Sequence, residues 1–222
     1  MDLKITKQAV RKSRLFLYVD INGCYVIVNK KGGDRVKFPE IREIQTENLL
    51  LRKVREEDAP LYFQRIGSRE AVTRYMLFQP HGDIRESVAS INKALQRYET
   101  GKCYRWAIAL REDDTIIGII ELLRFDETEN SCSFAYMIGD DFWGRGFGTQ
   151  ALQAALDFAF SEMDLAYVEA DHMADNPASG AVMRKAGMTY MRTDEEKYVK
   201  NGQSYDAPVY RITAQQWKKR NS

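Results

Sequence analysis

The stretch Trp143-Gly144-Arg145-Gly146-Phe147-Gly148-Thr149 sets the tightest limit on how this chain can fold. Its alternating glycines cannot continue the apolar run SCSFAYMI (131–138) that leads toward them. They open instead onto Leu152, Ala155, Leu156, Ala159 and Met163, which recur at helical spacing. A strand must therefore turn sharply into an amphipathic helix. Glycines at such a corner let successive backbone N–H groups face one point, and the helix N-terminus adds partial positive charge. The corner can thus take a phosphate or pyrophosphate. It is neither a dinucleotide fingerprint nor a P-loop, since the third glycine of the one and the Gly-Lys-Ser/Thr ending of the other are missing. A strand-to-helix corner also uses glycine for geometry alone, so the surroundings decide.

The surroundings are mixed α and β. LLLRKV (49–54), YRWAIAL (104–110), TIIGIIELLRF (115–125) and LAYVEA (165–170) read as further strands. Asp58-Ala59-Pro60 opens a helix with an acidic cap and a proline in the first turn. Asp83 and Glu86 have capping-box spacing ahead of Ile84, Val88, Ile91, Leu95 and Tyr98, and Gly101 stops that helix. Asn176-Pro177 starts another, which ends at Gly187. KYVK and SYDAPVYRI flank Asn201-Gly202, a hairpin signal.

Residues 1–45 differ in charge, with ten Lys and Arg against five Asp and Glu. LFLYVDI and CYVIV flank Asn22-Gly23, and a turn at Lys31-Gly32-Gly33-Asp34 leads into RVKF, so a small three-stranded β-meander is expected there. Too small to bury its own core, it forms a basic β-hairpin extension (1–45) on a main domain (46–222). Its strands resemble the opening of a Nudix domain, but no acidic Nudix box follows. The whole chain, with 33 basic and 32 acidic residues, has no net charge to draw nucleic acid or anionic lipid. Three separated cysteines give no disulfide framework, two distant histidines give no metal motif, and no apolar stretch is long enough to span a membrane. A cytoplasmic protein without a metal or membrane partner is expected.

The run YMI, then FWGRGFGTQAL, a strand, NPASGAVMRKAGM and a closing hairpin before Trp217 resembles the GCN5-related N-acetyltransferases (GNAT). Within them it is most similar to the branch that acetylates N-termini of ribosomal proteins. The resemblance spans roughly Thr46 to Trp217. It implies an α+β fold, with a mixed, mostly antiparallel sheet splayed into a V and flanked by helices, and acetyl-CoA as cofactor. Arg145, Gly146, Phe147, Gly148 and Thr149 fall on the family's pyrophosphate loop. The strand backbone at Tyr136, Met137 and Ile138 falls where the family holds the pantetheine arm and polarises the thioester carbonyl. Asn176 and Ser179 match an N-x-x-S whose Asn contacts the pantetheine and whose hydroxyl position protonates the leaving thiolate; Asn176 before Pro177 is also an ordinary helix cap. Lys185 could reach a cofactor phosphate, or be a solvated helix-end lysine.

Relatives often carry A-E-I-G-Y where this chain has Cys132-Ser133-Phe134-Ala135-Tyr136, so the common glutamate aligns with Ser133. The general base then lies open among Glu121, Asp171, His172 and Tyr136. Glu121 interrupts IIGIIELL and belongs either in a cleft or on a solvent face; a loop histidine such as His172 is more often a surface residue. Tyr62, Phe63, Tyr75 and Phe78 lie on segments that wall the family's acceptor site, although an ordinary core explains most of them. The implied activity is acetyl transfer from acetyl-CoA, within a ternary complex, to a primary amine: a protein N-terminus, or a polyamine, amino acid or aminoglycoside. The alternatives are a catalytically weak acyl-CoA sensor, and an adaptor whose residues 1–45 bind an acidic partner, RNA, a ribosome or a second subunit in a homodimer.

Overall fold

The computed structural model describes residues 17–19, 25–27 and 36–220. Leu17–Val19 (β1) and Tyr25–Ile27 (β2) pair antiparallel, with Leu17 opposite Ile27 and Val19 opposite Tyr25, one residue out of the register that a two-residue turn at Asn22-Gly23 would give. That turn and the one expected at 31–34 lie outside the described residues. The third strand of the expected meander is corrected: from Val36 to Glu43 the backbone is irregular. Its polar groups are satisfied by the main domain instead of by a strand neighbour. Lys37 N–H donates to the Met163 carbonyl at 3.3 Å, the Tyr104 hydroxyl to the Pro39 carbonyl at 2.6 Å, and the Trp106 indole to the Arg42 carbonyl at 2.9 Å. Val36 and Ile41 are buried in the main core.

Eight strands form the principal sheet: Ile44–Gln45 (β3), Leu49–Arg52 (β4), Tyr104–Leu110 (β5), Ile116–Asp126 (β6), Ser131–Ile138 (β7), Tyr167–Asp171 (β8), Thr189–Lys200 (β9) and Gln203–Thr213 (β10). Their spatial order is β3-β4-β5-β6-β7-β8-β10-β9. Every neighbouring pair is antiparallel except β7 and β8. The helices are Ala59–Tyr62 (α1), which continues into a π-helical turn at Phe63–Gly67, then Glu70–Thr73 (α2), Ile84–Tyr98 (α3), Phe147–Ser161 (α4), Pro177–Lys185 (α5) and Ala214–Arg220 (α6). This is the mixed, helix-flanked sheet that the resemblance implies.

Strands β5 and β6 are mostly apolar because both of their faces are covered. Trp106, Ile108, Ile120 and Leu122 join Leu152, Leu156 and Phe158 of α4 in one core. Ala107, Ile116 and Ile119 join Tyr62, Ile66 and Ile91 in a second core under α1 and α3. The capping box forms as its spacing predicts, with Asp83 accepting from Arg85 N–H at 2.8 Å and Glu86 accepting from Asp83 N–H at 3.2 Å. Among the described residues no helix is long and apolar enough to cross a membrane.

Candidate active site

The site is made by the one parallel pair. β7 and β8 are joined only at Ser131 opposite Tyr167 and Cys132 opposite Val168; beyond these pairs β7 runs six residues further with no strand beside it on that edge among the described residues. Backbone direction alternates along a strand, and Gly139 N–H donates to Ile117 of β6 at 2.8 Å. The peptide groups of Phe134, Tyr136 and Ile138 therefore face the gap, and those of Met137 face β6. Asn130, of the same parity, accepts from Ala166 N–H across the gap's closed end at 2.7 Å, which agrees. The Ile138 carbonyl is taken by the Trp143 indole at 2.8 Å. Met137, expected to hold cofactor through its backbone, offers the gap only its side chain.

A cavity of about 750 Å³ fills the gap. At one end Gly144 (φ +76°) and Gly146 (φ +80°) take the left-handed conformation that makes the corner, and no side chain caps the N-terminus of α4. The first-turn N–H groups of Phe147, Gly148 and Thr149 have no partner within the helix, and all three residues line the cavity. The Arg145 side chain is placed differently from the loop's backbone. Between two left-handed glycines it turns outward, stacks over the Phe142 ring at 5.4 Å and does not line the cavity. The donors left free at this corner are backbone N–H groups.

Along the opposite wall, Asn176 caps α5 by accepting from Ser179 N–H at 3.3 Å, so its capping role is observed, and it also lines the cavity. Ser179 is buried, lines the cavity and lies near the Tyr136 phenol. Burial pushes that phenol above the ordinary tyrosine range, while Ser179 beside it pulls it down. Lys185 lines the cavity as well.

The expected bases separate. Glu121 is buried but does not line the cavity; it sits on the same face of β6 as Ile119, toward α1 and α3. A buried carboxylate must be paired, and Glu121 accepts from Arg97 at 2.8 Å and from its cross-strand neighbour Arg105 at 2.8 Å. Ser133 lines the cavity. Asp171 lines it too, accepting from the Tyr198 hydroxyl and from Lys197 Nζ at 2.8 Å. His172, read as a surface residue, is buried and lines the cavity because α5 packs over it. Its Nδ1 donates to the Met173 carbonyl at 2.7 Å, and its Nε2 is buried without a partner among the described residues. Of the early aromatics, Tyr75 lines the cavity and Tyr62 belongs to the second core. Arg124, Tyr198 and the wall residues Met76 and Leu77 carry no sequence motif that would have singled them out.

A family model described as the acetyltransferase (GNAT) domain matches residues 48–189. The uncharacterized N-acetyltransferase YoaA of Bacillus subtilis is 26% identical over 169 residues, 76% of this chain and 95% of that protein. The ribosomal protein uS5-alanine N-acetyltransferase of Escherichia coli is 22% identical over 194 residues, 83% of this chain and 97% of that protein. Among solved structures, the spermidine N-acetyltransferase from Vibrio cholerae in complex with CoA and spermine matches with a TM-score of 0.67 at 19% identity. That match covers 78% of this chain and 99% of that one, and at this identity it speaks to the fold.

Proposed function

The chain belongs to the GNAT acetyltransferase family and is an N-acetyltransferase, and we propose that it takes its acetyl group from acetyl-CoA and passes it directly to a primary amine. One observation carries the reading: the unpartnered edge of β7 ends beside the uncapped N-terminus of α4. An extended chain with amide groups and a pyrophosphate at one end fits that pair, the amides adding as a strand and the anion meeting backbone N–H groups. Acetyl-CoA has this form and supplies, when bound, an activated thioester.

The residues divide the remaining work. The peptide group of Tyr136 and the N–H of Ile138 would hold the amides of the arm, and Phe147, Gly148 and Thr149 the pyrophosphate. Tyr136, beside Ser179, keeps a proton at neutral pH where a thiolate leaving group needs one. The amine must also shed a proton. Glu121 is withdrawn by its two arginines, Asp171 already accepts two donors and Nε2 of His172 is covered by Gly180, so we assign the amine's proton to water in the cleft. Relatives are named for a ribosomal protein alanine and for spermidine as acceptors; the walls of this cleft bear on that choice below.

Thermal unfolding of the full chain with and without acetyl-CoA tests the reading. At a hundredfold excess over its dissociation constant a ligand of the native state adds about 2.7 kcal/mol. That stabilisation is expected to vanish in Gly146→Glu, and its absence from the folded wild type overturns the acetyl-CoA reading. Turnover of added amines then separates an enzyme from a sensor that only binds. Of the extension expected at residues 1–45, Val36, Ile41 and β3 belong to the main core and sheet, so we assign the docking role to residues 1–35, tested by deleting them.

A further inference from the structure

The cleft has two ends. Ile138 adjoins the anion corner, and Ser133 lies five residues back along β7, about 16 Å away at the rise of a strand. At this far end the lining residues are Ser133, Arg124, Asp171 and Tyr198. Asp171 is the single carboxylate side chain lining the cleft among the described residues, and Lys197 balances its charge while Tyr198 donates to it. A polycationic amine would find no uncompensated negative charge here to offset its lost hydration.

Arg124 is placed there by a β-bulge. Leu123 pairs with Ser133 and Asp126 with Ser131, so Arg124 and Phe125 together stand opposite Cys132. In the bulge Arg124 takes φ +53°, a left-handed conformation that favours glycine, and β-bulges of this kind re-aim a side chain. The result is an exposed guanidinium on the cleft wall. Among the described residues it forms no ion pair; it lies against the Tyr198 hydroxyl, whose proton is directed to Asp171. Of its five N–H donors most remain for a ligand, in the planar fork that matches a carboxylate or a phosphate.

Resting on the acetyltransferase reading above, we infer that the acceptor is a primary amine bearing a carboxylate or phosphate a few bonds from its nitrogen, and that Arg124 binds that anionic group. Tyr198, held by Asp171, positions the guanidinium. The anion can belong to a free small amine or to an acidic residue next to a peptide's N-terminus; the chemistry read by Arg124 is the same.

The test uses the full chain, acetyl-CoA and matched acceptors: phosphoethanolamine against ethanolamine, glycine against glycinamide, a peptide with aspartate second against one with asparagine second, and spermidine. Each acceptor is read by turnover and by the thermal shift it adds to the CoA-saturated protein. The anionic member of at least one pair is expected to lead by about tenfold or more in kcat/KM, as a charged hydrogen bond allows, and the pair that shows it identifies the source of the anion. In Arg124→Gly, which accepts the left-handed conformation without steric cost, the lead falls at least tenfold while stabilisation by acetyl-CoA is retained. Arg124→Glu is expected to favour spermidine. A protein that binds acetyl-CoA but shows no anionic lead in either readout, or keeps the lead in Arg124→Gly, overturns the inference. Failure to bind acetyl-CoA overturns the transferase reading and this inference with it.

Discussion

The Lys200 ammonium donates to the Met76 carbonyl at 2.7 Å, and through that bond the tip of the last hairpin is tied to a wall of the cleft. The same Nζ reaches the Thr73 carbonyl at 2.9 Å and the Arg74 carbonyl at 3.1 Å, and Gln79 Nε2 donates to Asn201 Oδ1 at 2.8 Å. Tyr75, Met76 and Leu77 line the cleft from a segment of turns and bends, so the hairpin fixes their position. Lys200→Met keeps the aliphatic stem and removes the donors. It is expected to cost about 1 to 3 kcal/mol in denaturant unfolding, to raise KM for the amine more than it lowers kcat, and to leave the acetyl-CoA shift in place. A parallel loss of acetyl-CoA binding would show that the latch holds the whole cleft instead of its acceptor wall.

The buried pair Arg52–Asp58 makes a sharper stability test. Both terminal guanidinium nitrogens donate to the Asp58 carboxylate at 2.8 Å, the Arg52 side chain is 3% exposed, and Asp58 also accepts from Arg55 N–H at 2.8 Å. Asp58→Asn leaves a buried cation with Asp114 as its remaining acidic partner. Loss of about 3 kcal/mol or more is expected in equilibrium unfolding. The double replacement Arg52→Met with Asp58→Leu should recover much of it, since no unpaired charge is left behind.

Asp58 also marks where sequence reading stops. The acidic cap expected there is not made: Asp58 makes no cap hydrogen bond to α1, and its side chain instead accepts from Arg55 N–H behind it. Its partner Arg52 is visible only once β4 is laid beside the start of α1. The strands at 104–110 and 131–138 form where their apolar runs lie, and the turn at Asn201-Gly202 takes positive φ at both residues. The glycine corner is equally legible, because spacing alone dictates it. Glu121 stands out as a charge in an apolar strand, but Arg105 becomes its partner only through the register of β5 with β6. His172 follows a strand as surface residues do, and is buried by Gly180 of α5, where a Cβ would stand 2.6 Å from Nε2. Asp171 meets Tyr198 through the order β8-β10-β9, a long-range pairing with no local signature. RVKF has strand composition, yet from Val36 onward its backbone finds its partners in the main domain.

Alkaline pH should destabilise the protein. Burial raises the phenols of Tyr62, Tyr98 and Tyr136 and the thiols of Cys103 and Cys132, and pushes Tyr104 up to about 12. Unfolded, such groups release their protons at about pH 8.5 for a thiol and about pH 10 for a phenol. Above those values the native state binds more protons than the unfolded state, so the free energy of unfolding falls as pH rises. The contribution is complete below the unfolded values and is lost as pH climbs through the folded ones. Urea midpoints measured at about pH 7.5 and about pH 10.5 should therefore differ, the second being lower. Equal midpoints would mean that these side chains titrate as they do in the unfolded chain.

Tyr136 contributes a backbone to the strand edge and a phenol to the cleft, and substitution can part the two. Tyr136→Phe leaves the peptide group facing the gap and the ring beside Gly148, so the thermal stabilisation by acetyl-CoA should persist. What is lost is a proton held by a phenol that burial keeps protonated well above neutral pH. If that proton goes to the departing thiolate, kcat falls by roughly 10² or more with little change in KM for the amine. Ser179→Ala distinguishes a relay from a single donor: a relay through both hydroxyls predicts a loss like that of Tyr136→Phe, and a lone phenol predicts a much smaller one. Undiminished kcat in Tyr136→Phe would move the proton to Ser179 or to solvent, and Ser179→Ala would then decide between them.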